Sequence, residues 1–176
     1  MLALVGLPGC GKSTIGRLLS RELDRPFWDL DRAIEERLGC TIAEYFAKAG
    51  EARFREIESQ VLDELTLIDQ GVLSTGGGSV LNPLNRQRLG ERGQVIYLHA
   101  TPIQLFPRLR HDKKRPLLQV ADPFQKLIEL FDARDPLYRE TAHQVISSGG
   151  RPTRWVLDQC LQQVGHTAHS NPRASA

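Results

Sequence analysis

The stretch "GLPGCGKST", residues 6–14, lies between the apolar run "LALV" at 2–5 and a segment with helical periodicity. It matches the pattern G-x-x-x-x-G-K-[ST] at Gly6, Gly11, Lys12 and Ser13. Glycines let backbone N–H groups turn toward phosphate oxygens, and the positive N-terminus of the following helix adds to the attraction. Lys12 suits the β and γ phosphates, and the Ser13 hydroxyl suits Mg²⁺. The stretch therefore predicts a nucleotide-binding loop between a strand and a helix.

Short apolar runs alternate with helical segments, which predicts an α/β fold with a parallel sheet and helices on both faces. Buried strands are expected at 2–5, 71–75, 94–99 and 144–147, with a short fifth at 25–29. The length of 176 residues fits one domain. We predict this domain over 1–162, a disordered tail over 163–176, and a long mobile loop in the irregular basic stretch 110–123.

Composition narrows the classes of partner. Lys and Arg number 23 against 21 Asp and Glu, so the net charge of +2 gives no reason to expect a nucleic-acid partner. No apolar stretch approaches the roughly 20 residues of a membrane span, and no secretory leader is recognisable at the N-terminus. We therefore expect a cytoplasmic protein with no membrane partner.

The three cysteines, Cys10, Cys40 and Cys160, have unrelated spacings and an odd number, which favours reduced thiols over disulfides or a metal site. Cys10 lies beside Lys12 at the start of the predicted helix, where thiolate is favoured. If exposed, it would be the most reactive of the three. The alternative is that its side chain points away from solvent.

Two carboxylates lie at the end of the short strand predicted at 25–29. Asp29 and Asp31 are two residues apart, so on an extended strand end both would face one cleft. One could hold Mg²⁺ through water, while the other binds an acceptor hydroxyl and takes its proton. The alternative is that Asp31 caps the helix that begins at "RAIEERLG".

Two arginines are predicted to point toward the core. Arg55 and Glu58 lie at the edge of an apolar helical stripe, and Arg134 lies beside another stripe, just before a proline expected to end its helix. Inward arginines usually need an anion, and the planar guanidinium suits a carboxylate. The alternative is internal pairing of Arg55 with Glu58 and of Arg134 with Asp135.

A run of three glycines, Gly76, Gly77 and Gly78, follows the strand predicted at 71–75. Open α/β sheets bind ligands at the carboxyl ends of their strands. Without side chains, this backbone can touch a ligand directly. The run is therefore a candidate part of an acceptor site.

The motifs together closely resemble the shikimate kinases. The resemblance runs in order from residue 1 to about 162 and rests on "GLPGCGKS" (6–13), "FWDLD" (27–31), "FREIE" (54–58), "GGG" (76–78), "RPLL" (115–118) and "RDPLY" (134–138). It implies a three-layer P-loop fold similar to nucleoside monophosphate kinases, with a five-stranded parallel sheet and a mobile lid at about 110–121. It also implies transfer of the ATP γ-phosphate to the 3-hydroxyl of shikimate, in aromatic amino-acid biosynthesis.

The resemblance also implies roles for individual residues. Asp31 matches the acid that holds the acceptor hydroxyls, and Asp29 with Ser13 matches the Mg²⁺ site. Arg115 matches the lid arginine that reaches the phosphates, and it forms the expected catalytic set with Lys12 and Asp31. The shikimate-binding residues implied are Asp31, Arg55, Glu58, Gly76, Gly77, Gly78 and Arg134. The ATP-binding residues implied are Gly9, Cys10, Gly11, Lys12, Ser13, Thr14, Arg108, Arg115 and Arg151.

Two choices stay open at this point. Arg108 falls near the arginine that stacks on adenine in the family, but Arg110 is close enough to compete. "SSGGRP" at 147–152, which contains Arg151, matches the second adenine-contacting loop only loosely.

We expect shikimate, ATP and Mg²⁺ as partners and cofactor, and a monomer. The alternatives are another small-molecule kinase, for gluconate or a nucleoside monophosphate, and an ATP-binding switch without an acceptor.

Overall fold

The computed structural model describes residues 1–110 and 120–169. Five strands form one sheet: β1 Leu2–Val5, β2 Phe27–Asp29, β3 Val72–Ser74, β4 Gln94–His99 and β5 Gln144–Ser147. Seven α-helices are found in these residues: α1 Lys12–Glu22, α2 Leu30–Leu38, α3 Ile42–Thr66, α4 Pro83–Arg92, α5 Pro102–Leu109, α6 Pro123–Thr141 and α7 Thr153–His169. A 3-10 helix, Ser79–Leu81, precedes α4. No helix of the described ranges is both long and apolar enough to cross a bilayer.

The sheet is parallel throughout, in the order β2-β3-β1-β4-β5. Every residue of the central strand β1 is buried, as expected for a strand covered on both sides. The helices α1 and α7 contact each other, α4 contacts α6, and each of these four helices also contacts a strand, as expected for a sheet covered by helices. The predicted α/β class and all five strands are confirmed, although β2 and β3 are shorter than predicted.

Two helices end at residues that differ from the boundaries predicted from the sequence. Helix α6 continues through Pro136 to Thr141, whereas the sequence predicted that this proline would end it. Proline removes one backbone donor, but the buried residues Tyr138 and Thr141 anchor the following turn. Helix α7 reaches His169, beyond the boundary predicted at 162, and residues 170–176 are not described.

The long helix α3 has a break that helps to place one of the arginines. A capping box of Thr41 and Glu44 starts the helix. At Gly50 the backbone leaves helical geometry, with φ of 80°, which only glycine adopts without strain. The second half of α3 therefore has its own direction, and it carries Arg55 and Glu58 toward the ends of the strands.

The carboxyl ends of the parallel strands bring the candidate residues to one edge. The glycine loop follows β1, Asp29 ends β2, and the three consecutive glycines follow β3. In register, Asp29 lies beside Ser74, which lies beside Leu4. This edge is where ligands bind in open α/β sheets.

Candidate active site

The loop between β1 and α1 has the conformation of a phosphate cradle. Gly11 caps α1 with a φ of 104°, which a residue with a side chain would adopt only with strain. Helix α1 begins at Lys12, so its first N–H groups lack helical partners and face the loop. Such a helix start attracts anions.

Lys12 is buried in the same loop. Its ammonium donates hydrogen bonds to the carbonyl oxygens of Gly6, at 2.8 Å, and Leu7, at 3.0 Å. The positive charge is therefore held next to the cradle by backbone oxygens. A phosphate oxygen in the cradle would compete with neutral carbonyls for this ammonium, and the charged bond is the stronger one.

Ser13, Asp29 and Ser74 form a cluster of oxygen atoms beside the loop. The Ser13 hydroxyl donates to the Asp29 carboxylate at 2.6 Å, and the two serine hydroxyls lie 3.2 Å apart. Oxygen ligands of this kind suit Mg²⁺, which usually keeps several waters. No group of three His, Cys, Asp or Glu side chains suited to a metal occurs in the described part of the chain.

The helix-capping alternative for Asp31 is wrong. Asp29 is the cap of α2, accepting a hydrogen bond from the Arg32 backbone N–H at 3.5 Å, and Asp31 lies in the first turn. The helix begins one residue after β2, so the two acids do not share an extended strand end. Asp29 faces Ser13, while Asp31 faces Gly76 instead.

Gly76 lies against two carboxylates. A Cβ placed there would be 2.8 Å from Asp31 Oδ1 and 2.9 Å from Glu58 Oε1. Glu58 is almost completely buried and accepts a hydrogen bond from Ser79 at 2.8 Å. Both acids are therefore next to the backbone of the glycine run, with no side chain between.

Arg55 packs on the same glycine run. A Cβ on Gly78 would lie 2.5 Å from both terminal nitrogens of its guanidinium. Arg55 donates to Glu58 at 2.7 Å and to Glu51 at 2.9 and 3.2 Å, which confirms internal pairing as one role. Three of the five guanidinium N–H groups make these bonds. Burial lowers the pKa of Arg55, but the two glutamates outweigh it and raise the pKa overall.

Arg134 is buried, with 5 % of its surface exposed, and the proposed pairing with Asp135 is not found among the described contacts. Asp135 instead accepts from Arg139 at 2.7 Å and from Tyr97 at 2.8 Å. Arg134 lies one turn before Tyr138 on the same helix, and its charge opposes the rise that burial causes in the pKa of Tyr138. Its charge is therefore aimed into the domain and away from the neighbouring acid.

Tyr138 is a site residue that the sequence analysis did not single out. It is fully buried, and its hydroxyl donates a hydrogen bond to the Gly77 carbonyl oxygen. Burial raises the pKa of Tyr138, while the charges of Arg134 and Arg55 act in the opposite direction. The available signal was its position one turn beyond Arg134 on the same helix, which places both side chains on one face.

A pocket of about 280 Å³ lies beside the glycine loop. It lies between the loop, the end of α5 and the segment after β5. Its lining residues are Gly9, Cys10, Gly11, Thr14, Ile15, Arg108, Ser148, Arg151, Thr153 and Val156. Arg108 and Arg151 therefore face this pocket together, and Arg110 is not among the residues that line it.

Cys10 is buried, with 2 % of its surface exposed, and a Cβ on Gly6 would lie 2.9 Å from its sulfur. The thiol points into the protein, so the alternative that the Cys10 side chain points away from solvent is correct. Arg115 and nearly all of the predicted lid lie outside the described residues.

Comparison with known proteins identifies a family. The family model described as shikimate kinase matches residues 8–165. A shikimate kinase of Burkholderia pseudomallei (strain 1710b) is 51 % identical over 160 residues, which are 91 % of this chain and 87 % of that protein. A shikimate kinase of Paracidovorax citrulli is 55 % identical over 146 residues, 82 % of this chain and 80 % of the relative.

A solved structure, that of a shikimate kinase from Acinetobacter baumannii in complex with shikimate, has a TM-score of 0.91 and 44 % sequence identity. The match covers 94 % of this chain and 93 % of that one. The arrangement of strands and helices is therefore shared over nearly the whole domain.

Proposed function

The chain belongs to the shikimate kinase family, and we propose that the cleft at its sheet edge transfers the γ-phosphate of ATP to the 3-hydroxyl of shikimate. The observation that carries this proposal is the cluster around the glycine run. Asp31, Arg55 and Tyr138 each contact a different one of the three glycines. A carboxylate, a guanidinium and a phenol therefore surround one short stretch of backbone that has no side chains.

The two arginines are the ligands for the shikimate carboxylate in this proposal. Arg55 retains donors beyond its bonds to Glu51 and Glu58, and Arg134 is buried one turn before Tyr138 on α6. A guanidinium binds a carboxylate through two parallel N–H bonds, which fixes orientation as well as adding energy. Glu58 has the supporting role of holding Arg55.

Asp31 orients the acceptor hydroxyl. Its carboxylate lies at Gly76, whereas the Asp29 carboxylate is bonded to Ser13. Phosphoryl transfer depends mainly on positioning and on neutralising charge around the moving group. Asp31 therefore accepts the hydroxyl proton and keeps the oxygen in line with the γ-phosphate.

Lys12 and the N-terminus of α1 neutralise the phosphates. Mg²⁺ would be held by Ser13 and Asp29 through oxygen atoms, and it supplies further positive charge when it enters with the nucleotide. Arg108 and Arg151 face the pocket beyond the loop, which is the place for the adenine base. Action as a cytoplasmic monomer and the role of Arg115 stay predictions from the sequence.

The test is an ADP-release assay with shikimate, gluconate, AMP or no acceptor. We expect ADP formation with shikimate and only background with the other three. A Lys12→Met variant, tested in parallel, should show background with every acceptor. Equal rates with gluconate or AMP would assign a different acceptor, and equal rates without any acceptor would indicate an ATPase.

A further inference from the structure

Tyr138 is buried at the centre of the proposed acceptor site, although none of the sequence motifs gave it a role. Its hydroxyl donates to the carbonyl oxygen of Gly77 across 61 residues of sequence. Arg134 lies one turn earlier on the same helix, both residues are buried, and its positive charge acts on this phenol. One phenol is therefore bonded to the glycine run and lies one helical turn from a buried arginine.

The orientation of this hydroxyl is fixed by its two neighbours. Its proton is committed to Gly77, so the oxygen presents its lone pairs, and not its proton, to the positive charge of Arg134. Burial raises the pKa of Tyr138, so the phenol stays protonated and remains a donor at neutral pH. A guanidinium can only donate, so a hydroxyl that donated toward Arg134 would repel it.

The ring of Tyr138 is held independently of the hydroxyl. It packs against Tyr97, with ring centroids 5.0 Å apart. The Tyr97 hydroxyl bonds to Asp135, and not to the glycine run. Removing the oxygen of Tyr138 would therefore leave the packing of the two rings in place, and it would remove only the connection between Gly77 and Arg134.

We infer that Tyr138 is a positioning residue that aligns the guanidinium of Arg134 with the backbone of Gly77 for binding the acceptor carboxylate. The inference rests on the proposed function, because it assumes that the acceptor is the carboxylate shikimate. It predicts that the Tyr138 hydroxyl acts on shikimate affinity and not on the nucleotide. It also predicts that the hydroxyl acts only while Arg134 is present.

The experiment compares the variants Tyr138→Phe, Arg134→Ala, the double variant, and Tyr97→Phe as the matched control. Loss of one buried hydrogen bond that orients a charged group predicts a rise of about tenfold in the KM for shikimate in Tyr138→Phe. The KM for ATP should stay within about twofold in the same variant. Tyr97→Phe removes a phenol oxygen from the same ring pair and should leave both KM values within about twofold.

The double variant separates an effect on the position of Arg134 from a general loss of structure at the site. Its KM for shikimate should equal that of Arg134→Ala alone, because the hydroxyl has nothing left to align. An unchanged shikimate KM in Tyr138→Phe, an equal rise for both substrates, or a further rise in the double variant would overturn the inference.

Two further results keep the test decisive. If Tyr138→Phe does not fold, a crystal structure of the wild-type chain with shikimate replaces it. Arg134 should bind the carboxylate with its guanidinium within hydrogen-bond distance of the Tyr138 oxygen, and a larger separation would refute the inference. Failure of the wild-type chain to phosphorylate shikimate would instead contradict the proposed function.

Discussion

Gly78→Ala is the substitution whose effect can be worked out most directly from the structure. The Gly78 backbone has φ of −100° and ψ of −2°, which alanine adopts without strain. The new Cβ would lie 2.5 Å from both terminal nitrogens of Arg55, whereas ordinary van der Waals contacts begin near 3.4 Å. The guanidinium must therefore move by about 1 Å, and its bond to Glu58 must lengthen or break.

The expected result is a selective loss of shikimate affinity. A lost charge-assisted hydrogen bond costs about 1.5–3 kcal/mol, which corresponds to a rise of about 10- to 150-fold in KM. The KM for ATP should stay within about twofold, because the displaced group is the end of a flexible side chain away from the nucleotide pocket. Steady-state kinetics with each substrate varied in turn measures both values.

Gly90→Ala is the matched control for this variant. No atom lies within 4 Å of a Cβ placed at Gly90, which is inside helix α4. Alanine there should stabilise the fold by up to about 1 kcal/mol and leave both KM values unchanged. If Gly78→Ala binds shikimate as tightly as the wild type does, Arg55 is not a carboxylate ligand.

Three other changes test separate parts of the site. Asp31→Asn should lower kcat about 100-fold or more and retain nucleotide binding measured by calorimetry, because the amide preserves the shape of the side chain but cannot accept the hydroxyl proton. Turnover near the wild-type rate would show that Asp31 has no part in the mechanism. Asp29→Asn should raise the Mg²⁺ concentration needed for half-maximal rate by about tenfold, because one charged oxygen ligand becomes neutral. An unchanged Mg²⁺ titration would show that the ion binds elsewhere. Thiol alkylation, followed by peptide mapping, should label Cys40 first, because Cys10 and Cys160 are buried and burial raises the pKa of Cys160 to about 12. Faster labelling of Cys10 would contradict its inward orientation.

Local patterns were enough to predict the strands and the phosphate loop. The strands at 2–5, 94–99 and 144–147 each contain an apolar run, and their predicted bounds agree with the structure. The conformation of the glycine loop is determined by its own residues, because only glycine adopts the positive φ angles of Gly6, Gly9 and Gly11 without strain. These features depend on short segments, so the sequence alone contains the information.

Features that depend on one-residue boundaries or distant contacts could not be predicted. Asp29 became the cap because α2 begins at Leu30, and a strand that was one residue longer would have changed the roles of both acids. Helix α6 continues past Pro136 to Tyr138, whose hydroxyl is bonded to Gly77, far away in sequence. Cys10 points inward because of the packing below the loop, which no local pattern describes.

The measurement that tests the central claim most directly is two-dimensional ¹H–³¹P NMR of the reaction mixture of the wild-type chain with shikimate and MgATP. The account predicts one new phosphoester signal coupled to the hydrogen on carbon 3 of shikimate, appearing as ADP forms. The Asp31→Asn variant should form this signal much more slowly. A signal coupled to a different ring hydrogen, or inorganic phosphate as the product, would contradict the claim that this site transfers phosphate to the 3-hydroxyl.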